Sequence, residues 1–168
     1  MVTKSDLAEP TLIEGWLRDM NLAPVRKPDA VNNWNVEFTI AAGSSPLAIA
    51  VVNPRTLPRA IMLVCGLAAA PEHMAAFKEL SEELRREFWN QLRVTLNREW
   101  VEYQIEGVAV VECPKTVRVS AVRFDDGLTL DSFARTLSSV CKAAADAATH
   151  YTDRLGNSRQ AARQGLAS

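Results

Sequence analysis

Three β-type segments follow one another between residues 34 and 67, and they restrict the fold more than any other feature of the sequence. Every second residue from Trp34 to Ile40 is apolar and the residues between them are polar, which is the period of a strand with one buried and one solvated face. The next two segments, 47–52 and 60–67, are apolar at nearly every position, which indicates burial on both faces. Because short connections containing proline join the three, we predict an antiparallel meander whose last two strands are central or covered by a partner.

Helical periodicity precedes and follows this meander. Thr11 and Glu14 have the spacing of a capping box, in which each side chain satisfies a free backbone N–H group of the first turn. Ser81 is placed to cap a second helical region. Thr129 or Asp131 is placed to cap the last helix. The apolar stripes predict helices over about 11–20, 71–80, 81–96 and 130–151.

Two more strands are predicted before the last helix. Tyr103 and Ile105 alternate with Glu and Gln residues, which is again a period of two. Gly107 suggests a bulge in this strand, and because Val108–Val111 is apolar on both faces, we expect the strand to continue through it. A turn then leads into a strand over 116–124. The resulting order, α-βββ-α(α)-ββ-α, predicts an α+β fold with an antiparallel sheet of five to six strands.

The chain has 168 residues, a length that suits one domain able to bury its own core. We predict a flexible N-terminus over 1–8, a single domain over 9–153 and a polar, partly basic tail over 154–168. The first residues lack the apolar segment of a secretory signal, and the apolar stretch 60–70 is much shorter than the ~20 residues of a membrane helix. We therefore expect a cytoplasmic protein with no membrane partner.

The charge balance argues against nucleic acid as a partner. Lys and Arg number 19 against 20 Asp and Glu, which gives a formal net charge of -1. Binding to a phosphate backbone requires a concentrated positive field. The arginines of the C-terminal tail are sparse and lack interleaved aromatic residues.

The sequence contains no cofactor, metal or catalytic motif. Cys65, Cys113 and Cys141 are far apart and the histidines are His73 and His150, whereas a structural zinc site takes four such ligands with at least one short spacing. The first and third cysteines lie in apolar patterns and are expected to be buried, inert thiols. The seven glycines form no phosphate-binding loop. We expect a protein that is not an enzyme and holds no cofactor.

A small enzyme or small-molecule-binding domain is the second interpretation, with polar groups that converge after folding. Its candidate members are Arg118, Asp125 and Tyr103. The neighbouring acids Asp125 and Asp126 lack the further oxygen ligands that Mg²⁺ or Ca²⁺ requires, and they are typical of a turn before a helix.

Several stretches resemble a family of small uncharacterised archaeal and bacterial proteins. They are Ser-Glu-Glu-Leu-Arg-Arg-Glu-Phe at 81–88, Val-Glu-Tyr-Gln-Ile at 101–105 and Asp-Asp-Gly-Leu-Thr-Leu-Asp-Ser-Phe at 125–133. The fold of that family is similar to the type III secretion chaperones, which are homodimers that hold extended segments of a partner protein. Over about residues 9–153 the resemblance implies a secretion-chaperone-like fold and a homodimer. The chain departs from those chaperones in charge, because they are acidic and it is nearly neutral.

The expected function is a non-enzymatic, dimeric protein- or peptide-binding module of the chaperone or adaptor kind. If the resemblance extends to the dimer, the helix with Trp89 and the apolar segment with Val108 and Val110 face a second subunit. Trp100, at the junction of a helix and a strand, is the tryptophan expected to be exposed, and exposed tryptophan is enriched in protein contacts. These four residues form the predicted interface, since uncovered sheet edges and faces favour pairing between chains.

Overall fold

The fold is an antiparallel sheet with helices, and the computed structural model describes residues 9–42 and 45–156. The sheet has six strands in the order β1-β2-β3-β4-β6-β5, which confirms the predicted α+β class. The strands are β1 (Val25–Lys27), β2 (Asn32–Ala42), β3 (Ser45–Pro54), β4 (Ala60–Ala68), β5 (Glu102–Glu106) and β6 (Thr116–Phe124). The helices are α1 (Pro10–Asp19), α2 (Pro71–Glu79), α3 (Glu82–Leu96) and α4 (Leu130–Tyr151). The predicted flexible N-terminus, part of the predicted turn at 43–44 and the predicted tail from residue 157 onward lie outside the described residues.

The edge strand β1 lies in a region that the sequence predicts as a loop, residues 24–33. It pairs with β2, with Val25 opposite Glu37. All three of its residues are exposed. Because its side chains do not alternate between buried and solvated positions, no periodic pattern in the sequence indicates this strand.

Helix α1 begins without the predicted capping box. Glu9 is the N-cap and Pro10 the first helical residue, so Thr11 already lies inside the first turn and does not cap it. The carboxylate of Glu14 instead accepts a hydrogen bond from Nε of Arg26 in β1 at 2.8 Å. This contact joins α1 to the edge of the sheet.

The N-caps predicted for α3 and α4 are confirmed. The Ser81 hydroxyl accepts a hydrogen bond from the Leu84 amide at 3.3 Å. At α4, Thr129 and Ser132 each accept a hydrogen bond from the backbone amide of the other, at 2.9 and 3.1 Å. Asp131, the alternative cap, lies in the first turn, where its charge suits the positive end of the helix dipole.

The core lies between the sheet and α4. This helix contacts β3, β4 and β6, and its residues Phe133, Val140 and Ala144 are fully buried. One set of alternate strand residues faces the helices. Its buried members are Val36 and Phe38 of β2, Ile49 and Val51 of β3, Ile61, Leu63 and Cys65 of β4, and Val117 and Val119 of β6. The other alternate positions point to the opposite side of the sheet.

The predicted continuation of β5 through Val108–Val111 is wrong. The strand ends at Glu106, and Gly107 has a φ of 139° while Val110 has a φ of 70°. Positive φ values do not occur in regular strands. The chain therefore forms a loop, residues 107–115, in which the valines are not paired in the sheet.

Two aromatic side chains hold the 107–115 loop against the helices. Nε1 of Trp89 in α3 donates to the carbonyl oxygen of Glu112 at 3.0 Å. The hydroxyl of Tyr151 at the end of α4 donates to the carbonyl oxygen of Pro114 at 2.9 Å. Both aromatic side chains are buried, and a buried carbonyl left without a partner is costly. These two hydrogen bonds therefore fix the path of the loop.

His150 lies beside Tyr151 in the last turn of α4 and packs on Phe88 of α3. The two ring centroids are 4.4 Å apart, and Nε2 of His150 is 3.0 Å from the Phe88 carbonyl oxygen. A position at the end of a helix favours a protonated ring, but burial lowers the pKa of His150. A neutral ring that donates from Nε2 fits this site. Beyond it, the π-helical turn Thr152–Gly156 continues the helix and buries Leu155.

Tyr151→Phe removes the hydroxyl that pairs with Pro114 and keeps the ring contacts. We expect the free energy of unfolding to fall by about 1–2 kcal/mol, as measured by urea denaturation. Tyr103→Phe is the matched control, because the Tyr103 hydroxyl makes no hydrogen bond within the described part of the chain. An equal loss in both variants would contradict the role given to the Tyr151 hydroxyl.

His150 is expected to make the folded protein sensitive to acid. Burial lowers its pKa from the ordinary 6.5, so the unfolded chain takes up the proton first as the pH falls. Stability that is present above about pH 6.5 is therefore lost as the pH falls below it. The amide of Gln in His150→Gln can still donate to Phe88. We expect the melting temperature of this variant to fall less than that of the wild type between about pH 8 and about pH 5.5. Equal losses in the two proteins would show that another group causes the acid sensitivity.

Candidate functional site

The structure does not bring the four predicted interface residues together. Trp89 is 2% exposed and fills the core of the chain itself. Val108 and Val110 lie in the neighbouring loop, the first exposed and the second half-buried. Trp100 lies at the other end of β5, and its side chain is 96% exposed. Of the four, Trp100 and Val108 are open to a partner.

The side of the sheet that points away from the helices, here termed the open face, is apolar at its centre. The sequence predicts β3 and β4 to be buried on both faces. On this face, however, Ala48 is exposed and Ala50, Met62 and Val64 are half-buried. Within residues 9–42 and 45–156, α1 and α4 approach the strands from the other side. The apolar centre of the open face is therefore left in contact with solvent.

An apolar band crosses the open face from β3 to the start of β5. The strand register puts Val52 opposite Met62 and Met62 opposite Val122. Trp100 lies two residues before Glu102 at the β5 edge and lines a hollow there with Val122, and with Ala121 and Arg123 of the opposite face. Phe124, at the end of β6, is 54% exposed on this face. We call these five residues, Val52, Met62, Val122, Trp100 and Phe124, the apolar band. Val52 is 5% exposed and the other four are more open to solvent, and exposed apolar patches mark sites of protein contact.

Trp100 is attached to a fixed backbone. The carboxylate of the preceding residue, Glu99, accepts a hydrogen bond from Nζ of Lys142 in α4 at 2.5 Å. The same ammonium group donates to Asp146 at 3.1 Å. The following residue, Val101, packs against the core. The exposure of the indole ring is thus a property of a well-anchored segment.

Charged residues surround the apolar band. The open face carries Lys27 on β1, Glu37 on β2, Arg118 on β6, and Glu102 and Glu106 on β5. None of these five side chains belongs to an ion pair within the part of the chain that the structure describes. An apolar centre inside a polar rim is the usual anatomy of a protein–protein interface.

A groove between α2 and the 107–115 loop is a second candidate site, with a volume of about 530 Å³. Its charged lining consists of two lysines and two glutamates, and its apolar lining includes Met74, Val111 and Cys113. Burial raises the pKa of the Cys113 thiol to about 11, so this thiol is not a nucleophile near neutral pH. The groove suits an apolar side chain or a small apolar molecule.

The three residues predicted for an enzyme site do not converge. Arg118 points to the open face, whereas Tyr103 lies opposite Val119 on the face that carries the core. Asp125 is buried at the end of β6 and accepts two hydrogen bonds from Arg59, at 2.9 and 2.8 Å. This ion pair joins the β3–β4 connection to the turn before α4, which agrees with the predicted turn at Asp125.

The other cysteines form no reactive centre. Cys65 is fully buried, as predicted, and Cys141 is half-buried. Burial raises the pKa of both thiols to about 11. Among the described residues, no group of three His, Cys, Asp or Glu side chains is arranged to hold a metal ion. No helix in the same ranges has both the length and the apolar character needed to cross a bilayer.

Comparisons with known proteins identify structures with a similar fold and a matching family. No curated protein matches the sequence. The crystal structure of an uncharacterised protein from Methanothermobacter thermautotrophicus is similar, with a TM-score of 0.76 and 25% identity over 86% of this chain and 97% of that one. YbjN from E. coli, described as a candidate transcription regulator, has a TM-score of 0.51 and 10% identity over 88% of this chain and 94% of its own, a likeness that shows the fold alone. A family model described as an uncharacterised conserved protein, DUF2299, matches residues 10–149. The chain therefore belongs to the DUF2299 family of uncharacterised conserved proteins.

Proposed function

We propose that this chain is a non-enzymatic protein-binding module that forms a homodimer and binds protein through the open face of its sheet. The observation that supports this function best is the apolar band, which is open to solvent from Met62 through Val122 and ends at Trp100, 96% exposed. Apolar side chains contribute hydrophobic free energy when they leave water. Since Trp100 stays in water when one copy folds, its contribution requires a second protein.

Among the residues of the apolar band, Trp100 would bury the most apolar surface against a partner. An aromatic side chain buries about 150–250 Å² when it is covered. At about 25 cal/mol per Å² this corresponds to about 4–6 kcal/mol before the entropic cost of association. On β3, three strands away, the small side chains of Ala48 and Ala50 let a partner backbone approach the sheet.

The edges of the sheet suit binding less well than the open face. At one edge, β1 has three residues. At the other edge, β5 carries Glu102 and Glu106, both exposed. Short strands and charged side chains are devices that prevent strand addition at an edge. The open face is therefore the surface that we assign to binding.

The resemblance to proteins with a secretion-chaperone-like fold supports the same function. It covers the segments 81–88, 101–105 and 125–133, which belong to α3, β5 and the start of α4. Secretion chaperones are homodimers that hold extended segments of a partner protein. Of these properties we carry over the homodimer, formed through the open face, without the secretion system.

Binding of a small apolar molecule in the α2 groove is a second candidate function. The volume of about 530 Å³ lies in the range of ligand pockets, about 300–1,000 Å³. Met74→Trp would fill this groove. It is expected to abolish thermal stabilisation by an apolar ligand and to leave association through Trp100 unchanged.

Trp100→Ala is expected to weaken the homodimer at least about 30-fold, the effect of an interface hot spot. Because the side chain is 96% exposed, the fold of each subunit should be unaffected, as checked by circular dichroism. Sedimentation equilibrium together with light scattering gives the dissociation constant.

The matched control for this variant is Val94→Ala. Val94 is 55% exposed, but it lies on α3, on the helical side of the molecule. We expect this variant to associate like the wild type. A wild-type chain that is monomeric at tens of micromolar, or a Trp100→Ala variant as dimeric as the wild type, would contradict the proposed function.

A further inference from the structure

We propose that two copies of this chain stack their open faces around a two-fold axis that runs parallel to the strands, between β3 and β4. The inference rests on the proposed function, because it names a second copy of the chain as the protein that covers the open face. It follows from the distribution of charge over the six strands. That distribution is self-complementary about this axis.

The order of the strands determines which strands face each other. In the order β1-β2-β3-β4-β6-β5, the midpoint of the sheet lies between β3 and β4. A two-fold axis at this midpoint, placed between the two sheets, sets β3 against β4 of the second copy, β2 against β6 and β1 against β5. Residues at the same height along the strands then face each other.

Each pair of outer facing strands carries opposite charges. Glu37 on β2 is at the height of Ser120 on β6, through the register of the strands between them. Arg118 is the next outward residue on β6. On β1, Lys27 faces the start of β5, where Glu102 is the first residue of the strand. Outward positions are about 7 Å apart along a strand, a distance that Arg and Lys side chains span.

The other face-to-face arrangement, with the two-fold axis perpendicular to the strands, brings like charges together. It sets β2 against β2, so that Glu37 approaches the Glu37 side chain of the second copy. With the axis at this height, Glu102 of β5 likewise meets Glu102, whereas Arg118 of β6 lies one outward position away and meets Arg118 when the axis is shifted to its own height. Juxtaposed like charges at an interface weaken binding strongly. The charge pattern therefore selects the axis parallel to the strands.

The centre of the two faces also fits this arrangement. Ala50 on β3 is level with Val64 on β4, so each small side chain faces a larger one of the second copy. This pairing lets the two sheets approach to about 10 Å, the spacing of packed sheets. At the periphery, Trp100 lies over β1 of the second copy at the height of Lys27, one outward position from Val25, which is 51% exposed.

The area of the open face suits a stable dimer. Six strands about 4.8 Å apart, with four outward positions about 7 Å apart, give a flat footprint of roughly 600 Å². A standard interface buries about 800 Å² of accessible surface on each partner. Protruding side chains such as Trp100 add to the flat footprint and bring the two values close together.

Charge reversal tests whether β2 faces β6. We expect Glu37→Arg and Arg118→Glu each to weaken the homodimer about tenfold, because each variant places like charges together at two positions per dimer. The double variant restores opposite charges and is expected to return to within about threefold of the wild type. Sedimentation equilibrium at low ionic strength measures these constants, and Glu83→Arg and Arg86→Glu on α3, each matched in charge change to one of the two variants, are the controls for net charge. Losses that multiply in the double variant would overturn the proposed axis.

A disulfide test does not depend on charge. A copy with Glu37→Cys, mixed with a copy with Ser120→Cys, is expected to form a crosslinked pair under mild oxidation, and neither copy alone is expected to crosslink. The wild type, oxidised in parallel, controls for Cys65, Cys113 and Cys141. If Glu37→Cys crosslinks with itself while Trp100→Ala still weakens the dimer, the axis is wrong and the proposed function stands. A wild-type chain that stays monomeric overturns both.

Discussion

Helix α4 lies across β4 and β6 and removes one set of alternate strand residues from water. Leu63 and Val119 are fully buried under this helical layer, and burial of such side chains contributes about 1.5–3 kcal/mol each. Once this packing has formed, the face of the sheet that belongs to the core is decided. The other face of β4 then stays in contact with solvent, although Met62 and Val64 on it are as apolar as the residues of the core.

The same helix positions the two regions that could meet a partner. Through Lys142 and Glu99, α4 fixes the segment that presents Trp100 at the start of β5. Through Tyr151, it fixes the 107–115 loop at the end of that strand. Both ends of the outermost strand are therefore held by one helix. A partner that binds the open face meets a surface that is already ordered, which reduces the entropic cost of association.

Periodicity predicted the elements whose side chains alternate between core and solvent, namely β2, β6 and the helices. The strand β1 has no buried side, so its residues carry no such pattern. In the 107–115 loop, the apolar composition indicated that valines avoid water but not how the backbone runs. Positive φ at Gly107 and Val110, and hydrogen bonds from Trp89 and Tyr151, decide that path. These partners are distant in sequence, so no local pattern contains them.

The open face, too, could be predicted only in part from local sequence patterns. The apolar segments 47–52 and 60–67 indicated strands that require cover on two faces, and this was the signal for the site. Which residues form the apolar band depends on the register, because Met62 meets Val122 only through the pairing of β4 with β6. Trp100 could be singled out from the sequence, since it sits at a junction between a helix and a strand. The residues that accompany Trp100 in the apolar band could not be identified from the sequence.

Near-neutral charge gives the open face a particular property. With a formal net charge of -1, two copies approach each other without strong long-range repulsion. The rim carries two positive charges, on Lys27 and Arg118, and three negative charges, on Glu37, Glu102 and Glu106, so its net charge contributes little to the strength of association. The positions of these charges on the strands discriminate between orientations instead. In such an arrangement the apolar band supplies the free energy, and the charges select one of the ways in which two apolar sheets could stack.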